Sequence, residues 1–264
     1  MIDDMKHNLQ IIPIPAFKDN YIWLLHDSNN AVVVDPGDAT PVFEVVKNLN
    51  LHLHTILITH HHHDHIGGVA RLIEAYPNVK VYAPKLEQYG FKHLTVDETE
   101  ILDITAFNLK LKVISLPGHT LGHVAYYAED EENAQNILFC GDTLFGAGCG
   151  RLFEGTPEQM FASLQKLAAL PQDTKVYCTH EYTMHNINFA LTLEPDNQAL
   201  ILRQQTTLAL RDLQKPSLPS TIALELATNP FLRCDNSAIK SSIQQPNASH
   251  LQVFTAIREL RNHY

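Results

Sequence analysis

Every position from 60 to 65 is histidine or aspartate, and the run begins where an apolar stretch stops. Thr55-Ile56-Leu57-Ile58 reads as a strand, and Thr59-His60-His61-His62-His63-Asp64-His65-Ile66-Gly67-Gly68 follows it directly. Ligand atoms crowded at a strand end are costly to keep together unless a cation collects them. Within the run, His60-x-His62-x-Asp64-His65 offers two adjacent ligand sets, the arrangement a paired-metal site needs. The competing reading is a solvated low-complexity tract that binds metal loosely. Such a tract does not normally follow a buried strand or lead into Ile66-Gly67-Gly68.

Three further ligand candidates follow strand-like runs. Gly118-His119-Thr120 follows Leu109–Leu116, Gly141-Asp142-Thr143 follows Ile137–Cys140, and Thr179-His180-Glu181 follows Lys175–Cys178. Sites gather at strand ends in open α/β sheets. A lone histidine there is weak evidence; four such coincidences in order are strong. Imidazole and carboxylate suit borderline divalent metals such as zinc, and also iron or manganese. A shared aspartate can bridge ions about 3.5–4 Å apart, and water bound there falls in pKa from about 15.7 towards 7.

The 264 residues suffice for one large domain or two ordinary ones, and 45% hydrophobic content supplies a core. With 19 basic against 29 acidic residues, a net of −10, general nucleic-acid binding is disfavoured. A few arginines around a pocket can still attract an anionic substrate. Met1-Ile2-Asp3-Asp4-Met5 lacks the apolar core of a secretion signal, and no apolar run approaches the ~18 residues of a membrane span. Cys140, Cys149, Cys178 and Cys234 are scattered, so buried free thiols and a cytoplasmic location are expected.

Candidate strands are Leu9–Ile14, Tyr21–Leu25, Ala31–Val34, Thr55–Ile58, Val79–Tyr82, Leu109–Leu116, Val124–Tyr127, Ile137–Cys140 and Lys175–Cys178. Helices are expected after Thr40-Pro41, read as a cap followed by proline, and after the capping box that Thr156-Pro157-Glu158-Gln159 begins. Near Tyr182 the character changes. From Met184 onward the pattern is helical, with Ala199–Leu213, Ile222–Ala227, and a last helix opened by Ser249-His250-Leu251-Gln252 that carries Leu251, Phe254, Ile257 and Leu260 on a stripe. Mixed strands and helices predict a layered α/β domain, with a boundary near 180–185.

The order His60-x-His62-x-Asp64-His65, Gly118-His119-Thr120, Gly141-Asp142 and His180 is similar to that of the metallo-β-lactamase superfamily. Within it the chain resembles the glyoxalase II (hydroxyacylglutathione hydrolase) family nearly end to end. The supporting words include Phe17-Lys18-Asp19-Asn20-Tyr21, Gly148-Cys149-Gly150-Arg151-Leu152-Phe153-Glu154-Gly155-Thr156, His180-Glu181-Tyr182-Thr183 and Asn229-Pro230-Phe231-Leu232-Arg233.

The resemblance implies a four-layer αβ/βα sandwich of two mixed sheets covered by helices, over residues 1–182. It implies an appended helical, glutathione-binding domain over 183–264. One metal would sit on His60, His62 and His119, a second on Asp64, His65 and His180, with Asp142 bridging; Asp64 and Asp142 are expected to be catalytic as well as ligating. His61 and His63 are expected to bind no metal, and Asp35 and His123 to orient ligands rather than ligate. Two divalent ions are expected, zinc first, with iron or manganese open. Arg151, Phe153 and Tyr182 match positions that contact glutathione, and Arg258 and Arg261, three apart on the last helix, can point at one carboxylate. Some relatives carry lysine at Arg151, tyrosine at Phe153 and lysine at Arg261, so here positive charge is kept and a hydroxyl is lost.

The implied reaction is hydrolysis of S-(2-hydroxyacyl)glutathione, typified by S-D-lactoylglutathione, by a hydroxide bound to two metals. It would be the second step of methylglyoxal detoxification, performed by a monomer with no nucleic-acid or membrane partner. A persulfide dioxygenase would use a single iron and usually lacks the long helical tail. A β-lactamase or lactonase would not need Arg258 and Arg261. A metal-storage protein would have no reason to place His119, Asp142 and His180 at three separate strand ends.

Overall fold

The computed structural model describes residues 9–130 and 135–264. The opening Met1–Met5 lies outside the described residues. The chain divides into two compact units: one runs to Ser115 and takes in Val124–Phe139, the other takes Leu116–His123 and Cys140–Tyr264.

The first unit contains a six-stranded mixed sheet in the order β1-β2-β3-β4-β5-β6, formed by Gln10–Ala16, Asn20–His26, Asn30–Val34, His52–Leu57, Lys80–Pro84 and Leu94–Val96. The first three strands pair antiparallel and the rest parallel. β1 runs two residues beyond the sequence expectation, through Pro13 and Pro15. It lies at the sheet edge, where prolines remove no shared ladder bond. Helices α1 (Ala39–Asn48), α2 (His63–Ile66) and α3 (Val69–Ala75) belong to this unit. Val42 and Val46 of α1 and Val69 and Leu72 of α3 pack on Ile22, Leu24, Val33 and Ile56 of the sheet.

The cap of α1 differs from the expectation. Asp38, not Thr40, precedes the helix, and its carboxylate accepts from the Thr40 N–H; Thr40 and Pro41 lie inside the first turn. Either cap satisfies an orphan donor, and the aspartate stands earlier in the chain. Leu49, at the C-cap, is 43% exposed.

All seven residues of β2 are buried, so both faces of the sheet are covered. An antiparallel ladder of β7 (Ile101–Ile104), β8 (Leu109–Ser115), β9 (Val124–Asp130) and β10 (Gln135–Gly141) forms the second layer of strands. Tyr126 of β9 is fully buried and donates its hydroxyl to the Ile58 carbonyl just past β4, at 2.7 Å. The Val124 N–H donates to the Thr59 carbonyl at 2.9 Å. The two ladders are thus tied together where the histidine run begins.

The second unit holds the two-stranded β11–β12 hairpin (Leu144–Phe145 and Gly148–Cys149), the β13–β14 pair (Lys175–Cys178 and Ser220–Thr221), and helices α4 to α9. These helices are Pro157–Ala168, Thr183–Leu193, Gln198–Asp212, Ile222–Thr228, Ser237–Ser242 and His250–Asn262. Capping boxes form at Thr156 and Ser249 as the sequence predicts. Phe161 of α4 packs on Phe254 of α9, which meets Phe231 edge-on at 5.8 Å. The buried stripe of α9 is Val253, Phe254, Ile257 and Arg258; Leu260 is 49% exposed, contrary to expectation. Arginine takes the inward position because it hydrogen-bonds the chain there. No helix among the described residues is long and apolar enough to cross a membrane. The four cysteines are buried and join no disulfide among the described residues, as expected.

Candidate active site

The histidine run leaves β4 as an extended loop and coils into α2, so side chains from 60 to 65 turn back on one another. His60 and His65 are fully buried, and their rings lie 4.0 Å apart. His60 Nε2 faces His62 Nδ1 at 3.1 Å. His65 Nε2 faces the Asp64 carboxylate at 3.6 Å, and Asn20 Nδ2 donates to the same oxygen at 3.0 Å. The loop packs closely: a Cβ on Gly37 would meet the Asp64 carbonyl oxygen at 1.9 Å, so only glycine fits there.

Asp35, at the end of β3, fixes which imidazole nitrogens carry protons. Its carboxylate receives His65 Nδ1–H at 2.9 Å, the Thr59 N–H at 2.8 Å and the Thr59 hydroxyl at 2.7 Å. Because Thr59 donates to Asp35, its oxygen accepts from His60 Nδ1–H at 3.0 Å. The lone pairs of His60 and His65 are therefore on Nε2, aimed at other ligand atoms.

The second unit repeats this logic. Asp142 follows β10 and His180 follows β13, while His119 sits on the turn after Leu116. His119 Nδ1–H donates to the Arg151 carbonyl at 2.7 Å, leaving its Nε2 lone pair 3.4 Å from an Asp142 carboxylate oxygen. His180 Nε2 lies 3.3 Å from that same oxygen. The Asp142 N–H donates to His123 Nε2 at 3.1 Å, and His123 Nδ1 lies 3.3 Å from the Thr143 hydroxyl. Lone pair facing lone pair is repulsive unless a proton or a cation sits between. The donor set of both units (neutral imidazole and carboxylate) fits divalent transition metals.

His61 and His63 lie outside these pairings of ligand-type atoms, although the His61 ring meets His62 edge-on at 5.1 Å. His61 Nδ1 approaches Glu87 at 3.3 Å, and Tyr89 donates to that glutamate at 2.9 Å. His63 is exposed, as suits a residue outside the ligand pattern.

His119 and Asp142 border a cavity of about 290 Å³ whose wall also holds Arg151, Phe153, Tyr182, Arg258 and Arg261. All five residues expected to meet substrate therefore share one hollow. Arg258 is buried and donates to the Cys149 carbonyl at 3.0 Å and to Asn262 at 3.1 Å. Burial, and then the neighbouring Arg258 charge, lower the pKa of Arg261. It donates to Asn186 at 3.1 Å. Tyr182 stacks on His180 at 4.6 Å, and Phe145 meets both rings edge-on. Phe153 is 61% exposed, edge-on to His119 and beneath the Arg151 guanidinium.

Phe145, Cys149 and Asn186 also line this cavity and were not among the expected site residues. Asn262 lines it too, and helical spacing was a signal for both asparagines: Asn186 lies four residues after Tyr182 and Asn262 four after Arg258.

The chain matches the Metallo-beta-lactamase superfamily over residues 17–180 and the Hydroxyacylglutathione hydrolase C-terminus over residues 181–264. It is 56% identical over 255 residues to the Hydroxyacylglutathione hydrolase of Methylobacillus flagellatus, covering 97% of this chain and 99% of that relative. Against the Hydroxyacylglutathione hydrolase of Aliivibrio fischeri it is 48% identical over 259 residues, covering 97% of this chain and 100% of the relative. Among solved structures it is similar to TTHA1623 in a di-iron-bound form, with a TM-score of 0.61 and 28% identity over 84% of this chain and 100% of that one. The fold is that of the metallo-β-lactamases, with mixed sheets, helices and an added C-terminal helical region. The chain belongs to the hydroxyacylglutathione hydrolase (glyoxalase II) family of that superfamily.

Proposed function

We propose that the chain hydrolyses the thioester of S-(2-hydroxyacyl)glutathione, typified by S-D-lactoylglutathione, to glutathione and a 2-hydroxy acid such as D-lactate. This would be the second step of methylglyoxal detoxification. The observation that carries this reading is one cavity bordered by ligand-type residues, His119 and Asp142, and by three arginines, Arg151, Arg258 and Arg261. Carboxylate recognition and bond cleavage can then occur in the same hollow. The names of relatives matched over nearly their full length agree.

In this reading His60, His62 and His119 would hold one divalent ion, Asp64, His65 and His180 would hold a second, and Asp142 would be shared by both. The di-iron form of TTHA1623 supports the pairing. Zinc is proposed as the native ion; iron and manganese share the donor chemistry. When bound, the ions supply Lewis acidity and a water of near-neutral pKa.

The chain's own residues do the rest. Asp35, the Arg151 carbonyl and His123 keep the ligands' tautomers and orientation. Arg258 and Arg261 receive a glutathione carboxylate, with Arg151, Phe153 and Tyr182 along the remainder of the molecule. Asp64 and Asp142 hold the reacting centre, and the thiolate leaves readily because thiols are acidic relative to alcohols. Residues 1–182 would form the catalytic region and 183–264 a helical glutathione-binding region, with Arg151, Phe153 and Tyr182 adding contacts from the first. A cytoplasmic monomer is proposed.

The test is loss of the thioester absorbance of S-D-lactoylglutathione, with metal analysis of the same sample. Turnover with two tightly held ions per chain supports the proposal. A pure, folded, metal-replete chain that leaves the thioester intact removes it.

A further inference from the structure

We propose that Glu225 is a positioning residue for the cavity wall: its buried carboxylate sets the Phe145–Gly148 turn, and through it both the His180–Tyr182 stack and Arg258. The inference rests on the function proposed above.

Glu225 lies on α7, and its side chain is fully buried, where an ionised carboxylate persists only if every lone pair is used. One oxygen accepts from Arg203 at 2.6 Å and from the Ser220 hydroxyl. The other accepts the Ala147 N–H at 2.8 Å and Asn229 Nδ2 at 3.0 Å. Arg203, itself buried, also donates to the Thr228 hydroxyl at 2.6 Å. One half of the carboxylate thus belongs to an internal ion pair, and the other half is spent on a turn far away in sequence.

That turn needs outside support. Ala147 adopts a left-handed conformation (φ 54°), which a residue with a Cβ disfavours. Gly146 has no room for a Cβ, which would meet the Thr183 hydroxyl at 2.4 Å. With Glu225 on the Ala147 N–H, Asn229 donates to the Phe145 and Gly148 carbonyls at 3.3 and 2.8 Å, and Asn186 donates to the Gly146 carbonyl at 3.0 Å. The side chains of Glu225, Asn229 and Asn186 therefore hold the turn, beside a Cys178 contact to the Gly146 backbone, and among these four Glu225 is the carboxylate.

What the turn carries belongs to the cavity. Phe145, at one end, meets His180 and Tyr182 edge-on at 5.8 and 5.4 Å. Cys149, just past the other end, offers its carbonyl to Arg258. A shift of the turn moves the aromatic side and the arginine side of the hollow together. No Glu225 atom needs to touch substrate for this to matter, since displacements near 1 Å alter catalysis strongly.

The test uses the full metal-loaded chain with Glu225→Gln and Glu225→Asp. Glutamine turns an NH2 towards donors, and aspartate is too short to reach both Arg203 and Ala147. The expected result for Glu225→Gln is a rise of about tenfold in KM and in the Kd of S-methylglutathione, a thioether that cannot be hydrolysed, with a smaller loss in kcat. Glu225→Asp should fall between. Metal content should stay at the wild-type value in both. Arg203→Lys is the control. It weakens the same interior but leaves the Ala147 contact, so its Tm should drop while KM stays within about twofold of wild type.

Unchanged KM and Kd in a folded Glu225→Gln chain would overturn the assignment. So would an equal KM rise in Arg203→Lys, which would mean general loosening, or failure of both Glu225 variants to fold, which would mean a purely structural role. If the wild-type chain cleaves no thioester and binds no S-methylglutathione, it is the proposed function that fails.

Discussion

The Nδ1–H of His119 donates to the backbone carbonyl of Arg151 at 2.7 Å, while the Arg151 side chain lines the cavity. One residue thus orients a metal-ligand candidate through its main chain and faces the proposed substrate through its side chain. The two roles separate cleanly by mutation. Arg151→Ala keeps the carbonyl, so metal content should match wild type while KM rises several-fold, an effect of about 1 kcal/mol. His119→Ala should lose bound metal. Metal analysis and steady-state kinetics on both variants check this, and metal loss in Arg151→Ala would contradict it.

Asp142 faces His119 and His180 with a single oxygen, at 3.4 and 3.3 Å. Asp142→Ala should empty at least one metal position and abolish turnover. Full activity at full metal content would remove the bridging role.

Asp35 touches no proposed ion but holds His65 and, through Thr59, His60. Asp35→Asn substitutes an NH2 for one of its acceptor oxygens. Metal affinity, measured by competition with a chelator, should fall about 10- to 100-fold, the usual scale for such outer partners. An unchanged affinity would mean the imidazoles keep their orientation without it.

Arg261 is the gentler test of the arginine pair, because Arg258 also supports the Cys149 and Gly150 carbonyls. Arg261→Ala should raise KM with little change in kcat, the signature of lost uniform binding. A fall in kcat at constant KM would place Arg261 in the reaction itself.

Alkaline pH should weaken the fold. Burial raises the pKa of all four thiols, and Cys234 is pushed up to about 12. Burial raises Tyr126 as well. A group whose pKa is raised in the fold stabilises fully below its unfolded value, 9.0 for a thiol, and that contribution is lost as pH rises through the folded value. The urea midpoint should therefore drop between pH 8 and pH 11, and the native thiols should react slowly with a disulfide reagent at pH 8. A midpoint that does not move, or four fast thiols, would contradict the burial argument.

Much of this was legible in the sequence because it was local. Ligand-type residues at four strand ends, the capping boxes at Thr156 and Ser249, and the helical tail follow from neighbours a few positions apart. What was missed depends on distant partners. Glu225 reads as an ordinary polar residue on a short helix, yet its partner Ala147 lies 78 positions away. Arg258 takes an inward position where periodicity favoured Leu260, because carbonyls 109 and 108 residues away receive its guanidinium. The short strands Leu94–Val96 and Ile101–Ile104 are three and four residues long and expose Leu94 and Ile101, so their apolar residues do not mark a buried face.

The Tyr126 phenol grips the Ile58 carbonyl just past β4, two residues before His60. Any warming that lets the two strand layers breathe is therefore felt first by the imidazoles. Cation release on heating is expected to precede the collapse of helical circular dichroism, and Tyr126→Phe should widen that gap.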